Sequence, residues 1–247
     1  MLAILGGTGL TQLANLEVTR REVVRTPYGE PSGALTFGRI GASEVVFLAR
    51  HGYGHTIPPH LVNYRANVWA LAQGAGAEAI VAVASVGGIG PDLSPGCLAV
   101  PHQIIDYTWG RKTTFHENTE YPVVHIDFTE PYDVSLRRRL LDAAREAGID
   151  IRDGAVYAAT QGPRLESAAE IDRLERDGAD VVGMTGMPEA ALAREAEVAY
   201  AAVAVVANWA AGRGDSVGGI RFDELEAVLT RGLGRVRTLL EKFCETC

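Results

Sequence analysis

Three short segments set hydroxyl groups among glycines and small residues: Gly6-Gly7-Thr8-Gly9, Ala84-Ser85-Val86-Gly87-Gly88 and Gly183-Met184-Thr185-Gly186. Each follows apolar residues, the pattern of a strand running into a turn. Small residues at such a turn let backbone N–H groups approach an anion closely. Arg50-His51 ends another apolar run. A guanidinium is a planar fork of donors suited to phosphate, and an imidazole can add one more. A sheet brings strand ends together from distant parts of a chain, so Thr8, Ser85, Thr185, Arg50 and His51 read as one phosphate site. Alone, each segment is only a tight turn.

A further apolar run, Ala199–Ala207, ends in Asn208-Trp209-Ala210 and then in glycines. Ligands collect where strands of open α/β sheets end. An Asn there also reads simply as a loop cap. The Gly6–Gly9 turn lacks the full spacing of a dinucleotide fold and the Lys of a P-loop. A nucleotide-binding oxidoreductase would need an acidic ribose ligand about twenty residues on. Thr26–Gly29 has none, and Glu30 sits inside a Pro-Tyr-Gly-Glu-Pro turn. His51, His55 and His60 invite a metal, but Gly52, Gly54, Pro58 and Pro59 break any helix that could align them. No carboxylate follows at ligand spacing, so no metal is expected.

The elements that must position these groups alternate. Strands are predicted at Leu2–Leu5, at Ala34–Ile40 and Glu44–Ala49 (a hairpin around Gly41-Ala42), and at Ala79–Ala84, Cys97–Val100 and Ile104–Tyr107. Later ones fall at Gly154–Thr160, Asp180–Gly183 and Ala199–Ala207. Helices are predicted at Leu61–Gln73, Ser135–Ala147, Ser167–Asp177, Pro188–Glu197 and Phe222–Lys242. Ser85–Pro95 reads as a Gly-rich loop, and Trp109–Tyr121 as a polar surface excursion. Strands alternating with helices predict an α/β fold: a single domain over 1–247 with a mixed, mostly parallel central sheet flanked by helices.

The net charge of −8 disfavours nucleic acid or an anionic membrane as partner. The first residues form too short an apolar run, without a basic segment, for a secretory signal. A cytoplasmic protein is therefore expected. The cysteines, Cys97, Cys244 and Cys247, make no disulfide framework, and the Cys244/Cys247 pair has redox-motif spacing on a frayed helix end.

Taken in order, Gly6–Gly9, Arg50-His51-Gly52, His55–His60 with Val62–Asn67, Gly162-Pro163-Arg164 and Met184–Glu189 resemble the methylthioadenosine phosphorylase branch of the purine nucleoside phosphorylases. The resemblance covers nearly the whole chain. It implies a trimeric α/β phosphorylase that splits a purine nucleoside with inorganic phosphate as co-substrate and no cofactor. It places phosphate on Thr8, Arg50, His51, the Ala84-Ser85 backbone and Thr185, and the ribose on Met184. It also implies that His125 reaches the 5′ end of a neighbouring subunit's site.

The sequence departs from that branch at the base. The branch carries Asp-x-Asp where this chain has Asn208-Trp209-Ala210. Adenine protonated at N7 presents donors at N6 and N7, which a carboxylate accepts. A 6-oxopurine presents the O6 acceptor beside N7–H, and an amide matches both, its C=O taking N7–H and its NH₂ giving to O6. Asn208 is therefore the expected catalytic group at the base, with Trp209 and Ala210 beside it, and 5′-methylthioinosine the expected substrate. Inosine or guanosine, or methylthioadenosine, are the alternatives within the family. Leu165 and Met187 are apolar candidates near the sugar, and Glu166 replaces a small residue of the branch there. A non-catalytic purine-binding module would have no use for the phosphate groups. The roles of Arg213 and Asp215 stay open at this level.

Overall fold

In a computed structural model, residues 1–117, 119–120 and 122–245 are described. The strands are β1 (Leu2–Gly6), β2 (Glu17–Glu22), β3 (Leu35–Ile40), β4 (Ser43–Ala49), β5 (Ala79–Gly88), β6 (Leu98–Val100), β7 (Gln103–Asp106), β8 (Arg152–Asp153), β9 (Val156–Ala159), β10 (Val181–Gly183) and β11 (Ala199–Trp209). The helices are α1 (Tyr64–Trp69), α2 (Val134–Glu146), α3 (Ala168–Arg176), α4 (Gly186–Glu195) and α5 (Phe222–Glu245). All strands belong to one mixed sheet. The α/β architecture read from the sequence is the one observed.

β5 is the strand the sheet is built on. One edge pairs in parallel with β11, from Ala79↔Ala199 onward. The other edge is shared. β1 pairs in parallel with Ala79–Ala82, and β10 pairs antiparallel with Gly87 and Gly88. Burial on both faces explains the unbroken apolar run of β5. Neither β1 nor β10 reaches Val83–Val86, so the sheet forks there and leaves backbone donors and acceptors open on one side.

One face of the sheet packs Val68, Leu71, Ala190 and Leu192, carried by α1 and its extension and by α4. The other packs Leu136, Leu140, Leu233, Val236 and Leu240 of α2 and α5. Local signals set the helix starts. Asp133 accepts from the Leu136 N–H at 2.7 Å, and Ser167 forms a capping box with Glu170.

Three expectations need correction, and one strand was not foreseen. Ser85–Gly88 is the end of β5 rather than loop, because β10 and β11 extend the ladder beyond the apolar run. Leu61–Gln73 is not one helix: Asn63 caps a new start by accepting from Ala66 N–H, and the helix widens into a π turn at Ala70–Gly74. β11 runs through Asn208 to Trp209, with a bulge at Ala207. β2 was not legible, since Glu-Val-Thr-Arg-Arg-Glu is exposed along its length and shows no alternation. Among the described residues, no helix is long and apolar enough to cross a membrane.

Candidate functional site

The fork in the sheet opens into a cavity of about 800 Å³. Its floor is Ala84, Ser85 and Val86 of β5. Gly7 and Thr8 past β1, Arg50 and His51 past β4, and Met184 and Thr185 past β10 close around that floor. The phosphate-site residues proposed from sequence thus share one cavity. Along a strand, backbone groups alternate sides. The Val83 carbonyl points into the fork, where it accepts from Arg50 Nη1 at 3.1 Å. The Ser85 N–H points the same way. Gly7 is required by close approach: a Cβ there would lie 2.5 Å from the Val83 carbonyl oxygen and 2.8 Å from Arg50 Nη1.

Arg50 is almost wholly buried, and most of its fork is committed. Nε bonds Glu189 Oε1, Nη2 bonds Glu189 Oε2 at 3.0 Å, and Tyr200 Oη donates to the same Oε2 at 2.9 Å. Nη2 also lies 3.5 Å from the Leu5 carbonyl. One Nη1 hydrogen stays uncommitted, so the expected full fork on phosphate is not available. Burial alone would lower the Arg50 pKa; the Glu189 carboxylate outweighs it and holds the group above its usual value.

His51 also departs from its expected role as an added donor. Its Nδ1 lies 2.8 Å from the Ile57 carbonyl, which can only accept, so Nδ1 carries the proton. Burial and the Arg50 charge push the imidazole pKa down to about 4, against the Ile57 bond that raises it. At neutral pH, Nε2 is therefore an acceptor, matched to the O–H of hydrogen phosphate. The His51 and His55 rings meet at a tilt of 59°, centroids 4.8 Å apart. Among the described residues, no group of three His, Cys, Asp or Glu could hold a metal.

Thr185 is held by its backbone, its N–H 3.3 Å from Tyr157 Oη. Gly183 and Gly186 nearby give the room, since a Cβ on Gly183 would run into Tyr157 and one on Gly186 would lie 2.8 Å from Ile104 Cδ1. The Met184 thioether covers Gly162, whose φ of 62° suits glycine.

The other end of the cavity is lined by Ala207, Asn208, Ala210, Leu165 and Glu166. The bulge at Ala207 re-aims the residues that follow it. Asn208 Nδ2 donates to the Trp209 carbonyl at 2.7 Å, and Ser216 Oγ donates to the same oxygen at 2.9 Å. Oδ1 and the second amide hydrogen remain for a ligand. Glu166 Oε1 accepts from Thr160 Oγ1 at 2.6 Å.

Several expected residues are not brought here. The Trp209 indole does not line the cavity and packs against Gly214. Met187 is core, and His125 is exposed and outside the chain's own cavity. Arg213 clasps Asp172 and Glu175 of α3 at 2.9 and 2.8 Å, closing the loop instead of facing the cavity, and Asp215 is exposed. Val62–Asn67 supports the site from outside: Asn67 Oδ1 accepts from Ser32 N–H at 2.7 Å, and Asn63 Nδ2 donates to the Tyr28 carbonyl at 2.7 Å. Cys97 is a free thiol, Cys244 is buried near the end of α5, and Cys247 lies outside the described residues. So do Asn118 and Tyr121 of the Trp109–Tyr121 excursion.

Sequence reasoning missed Glu189 as part of the site. A lone carboxylate in the apolar Met187–Leu192 stretch was the signal, because a buried charge needs a partner. It also missed Ile220, Phe222 and Leu225, which form an apolar wall where α5 begins.

The sequence pattern of the phosphorylase superfamily matches residues 1–245. The chain belongs to the phosphorylase superfamily. Within it, the chain is 55% identical over 240 residues to a protein of Pseudomonas syringae pv. tomato named "Probable S-methyl-5'-thioinosine phosphorylase", covering 97% of this chain and 96% of the relative. It is 49% identical over 216 residues to the "6-oxopurine nucleoside phosphorylase" of Pyrococcus furiosus, covering 85% and 80%. Among solved structures of the superfamily, methylthioadenosine phosphorylase from Schistosoma mansoni in complex with adenine superposes with a TM-score of 0.94. The identity there is 32%, with 99% of this chain and 91% of that chain covered.

Proposed function

We propose that this chain is a purine nucleoside phosphorylase that converts S-methyl-5′-thioinosine and phosphate to hypoxanthine and 5-methylthioribose 1-phosphate. The names of its relatives support the reaction class and the 6-oxopurine preference. The observation that carries the substrate is the polar edge at the base end: Asn208 with Ala210 beside it, and Glu166 in the same cavity.

Cleaving the N-glycosidic bond builds positive charge on the sugar and negative charge on the departing purine. Phosphate beneath C1′ supplies the electron pair for the new C1′–O bond, and the N9 pair leaves with the base, which takes up at N7, by way of water, the proton that hydrogen phosphate gives up on becoming the sugar ester. Thr8, the Ala84-Ser85 backbone, Thr185, His51 Nε2 and the spare Arg50 hydrogen hold the nucleophile in place. Asn208 Oδ1 accepts from N7–H, and its free amide hydrogen gives to O6. A carboxylate accepts and does not donate, so Glu166 suits the N1–H of a 6-oxopurine and opposes the bare N1 of adenine. It therefore contributes to base choice more than to the sugar's 5′ group. Met184 contacts the ribose. Leu165, Ile220, Phe222 and Leu225 give the 5′ end the apolar lining that a methylthio group favours.

No electron transfer is involved, so phosphate is the one co-reactant required. The working form is a homotrimer in which His125 serves a neighbouring site. In support, Val123 and Val124 beside it are 79% and 48% exposed, an apolar segment suited to a subunit contact. The free thiol of Cys97 suits a reducing cytoplasm.

The test compares base release from 5′-methylthioinosine, 5′-methylthioadenosine and inosine, with and without phosphate. Phosphate-dependent hypoxanthine release is expected, at least about a hundredfold faster than adenine release. Equal rates, or faster adenine release, would sink the 6-oxopurine reading. Inosine far outrunning its methylthio analogue would replace the 5′ assignment.

A further inference from the structure

Arg111 lies in the excursion after β7, outside the cavity lining, and is only half-buried. Its guanidinium nevertheless reaches three walls of the site. Nη1 donates to the Met184 carbonyl at 2.8 Å and the Met187 carbonyl at 2.6 Å. Nη2 donates to the Thr160 and Gln161 carbonyls at 3.2 and 2.9 Å, and Nε to Gln161 Oε1 at 3.1 Å. Nη1 also meets Tyr64 Oη at 3.1 Å, and that hydroxyl donates to the Pro59 carbonyl at 2.8 Å. Every acceptor is neutral.

We propose that Arg111 is a positioning residue for the reaction, holding the Met184–Met187 turn, the Thr160–Gln161 strand end and, through Tyr64, the Pro59 loop at one fixed spacing. This rests on the function proposed above for its substrates.

The geometry explains why an arginine stands here. Met184 and Thr185 follow β10 and face sugar and phosphate. Thr160 follows β9 and carries the hydrogen bond that orients Glu166. The neighbouring ladder pairs Val181–Gly183 with Tyr157–Ala159 and closes with Thr160 N–H on the Gly183 carbonyl at 2.8 Å; past that bond, Arg111 ties Gln161 to Met184 and Met187. A planar fork with donors along two edges can bridge them; a lysine ammonium, one charge at a single point, cannot span both. Charged donors on neutral carbonyls also make stronger bonds than neutral donors would. A shift of about 1 Å in such a wall can cost about a hundredfold in rate.

The test uses Arg111→Lys and Arg111→Ala in the full chain. Arg111→Ala is expected to lower kcat/KM by about a hundredfold, with KM rising for both phosphate and nucleoside. Added guanidinium ion should restore part of the loss in Arg111→Ala and none in wild type. Arg111→Lys should keep the melting temperature close to wild type yet recover little activity. A fall in melting temperature with kcat and both KM values unchanged would reduce Arg111 to a fold-stabilising residue and overturn the proposal. Amide exchange provides a readout that needs no substrate. In Arg111→Lys, residues 160–166 and 183–188 should lose protection together; loss confined to 109–117 would overturn the proposal. Wild-type protein without phosphate-dependent base release would defeat the functional reading, while the exchange result would still decide whether Arg111 couples the walls.

Discussion

The two ends of the cavity are built differently. The end proposed for phosphate lies deep in the sheet, and the end proposed for the base does not. Arg50 and Glu189 are 1% and 0% exposed, and their hydrogen bonds reach β1, β5 and β11, elements far apart in sequence. The base end lies on a half-buried strand terminus whose contacts are local: Asn208 to Trp209, Ser216 to Trp209, Glu166 to Thr160. The contrast separates what a phosphorylase must keep from what it can change. The phosphate site cannot alter without disturbing the core, whereas the base site can change its acceptors and donors without touching the fold.

The largest effect expected from this contrast is at Glu189. Glu189→Ala leaves Arg50 buried and uncompensated, which typically costs about 3–5 kcal/mol. Urea denaturation should show that loss, and phosphate binding should weaken with it. A variant as stable as wild type would mean that the pair does not hold the phosphate end together.

His51 gives the next effect, through pH. Its folded pKa is depressed from 6.5 to about 4. Below 6.5 the unfolded chain takes up a proton that the folded protein refuses, so this contribution to stability is complete above pH 6.5. It is lost as pH falls toward about 4, where the folded form protonates as well. The loss approaches about 3 kcal/mol at full effect. Denaturation midpoints measured from pH 7.5 to 4 should fall less steeply in His51→Gln than in wild type. Identical slopes would show that His51 is not held neutral.

At the base end the same size of substitution should act on chemistry and spare the fold. Asn208→Ala is expected to lower kcat for the 6-oxopurine nucleoside about a hundredfold, the loss typical of one preorganised hydrogen-bonding group at a developing charge. Its melting temperature should stay near that of wild type, because the side chain's one internal bond is to its neighbour. Asn208→Asp with Ala210→Asp should move activity toward the aminopurine. A large stability loss in Asn208→Ala would erase the distinction between the two ends.

What the sequence made legible follows the same division. Strand ends with small residues, and an Arg-His pair after an apolar run, pointed to the phosphate site, because a parallel sheet must gather its strand ends. The identity of Arg50's partner was hidden. Glu189 reaches it only because α4 folds back over the sheet, a long-range packing outcome with no periodic signal. Asn208 was readable as chemistry but not as geometry: the bulge at Ala207 depends on how β11 registers against β5. Arg111 was invisible for the opposite reason, since it sits in a polar segment without periodicity and acts through backbone carbonyls.

The smallest effect separates orientation from contact. The Trp209 carbonyl accepts from both Asn208 Nδ2 and Ser216 Oγ, and Ser216 is buried at 6% exposure. With Ser216 present, the carbonyl is fixed from one side and fixes the amide on the other, which leaves Oδ1 for the role proposed at N7. Ser216→Ala removes one neutral hydrogen bond, worth about 1 kcal/mol. Rates should fall by less than about tenfold. The loss should appear in kcat for 5′-methylthioinosine with KM for phosphate unchanged, because the other end of the cavity does not depend on this carbonyl. An equal rise in phosphate KM would show that the two ends are coupled through β11, and the division drawn between them would fail at that strand.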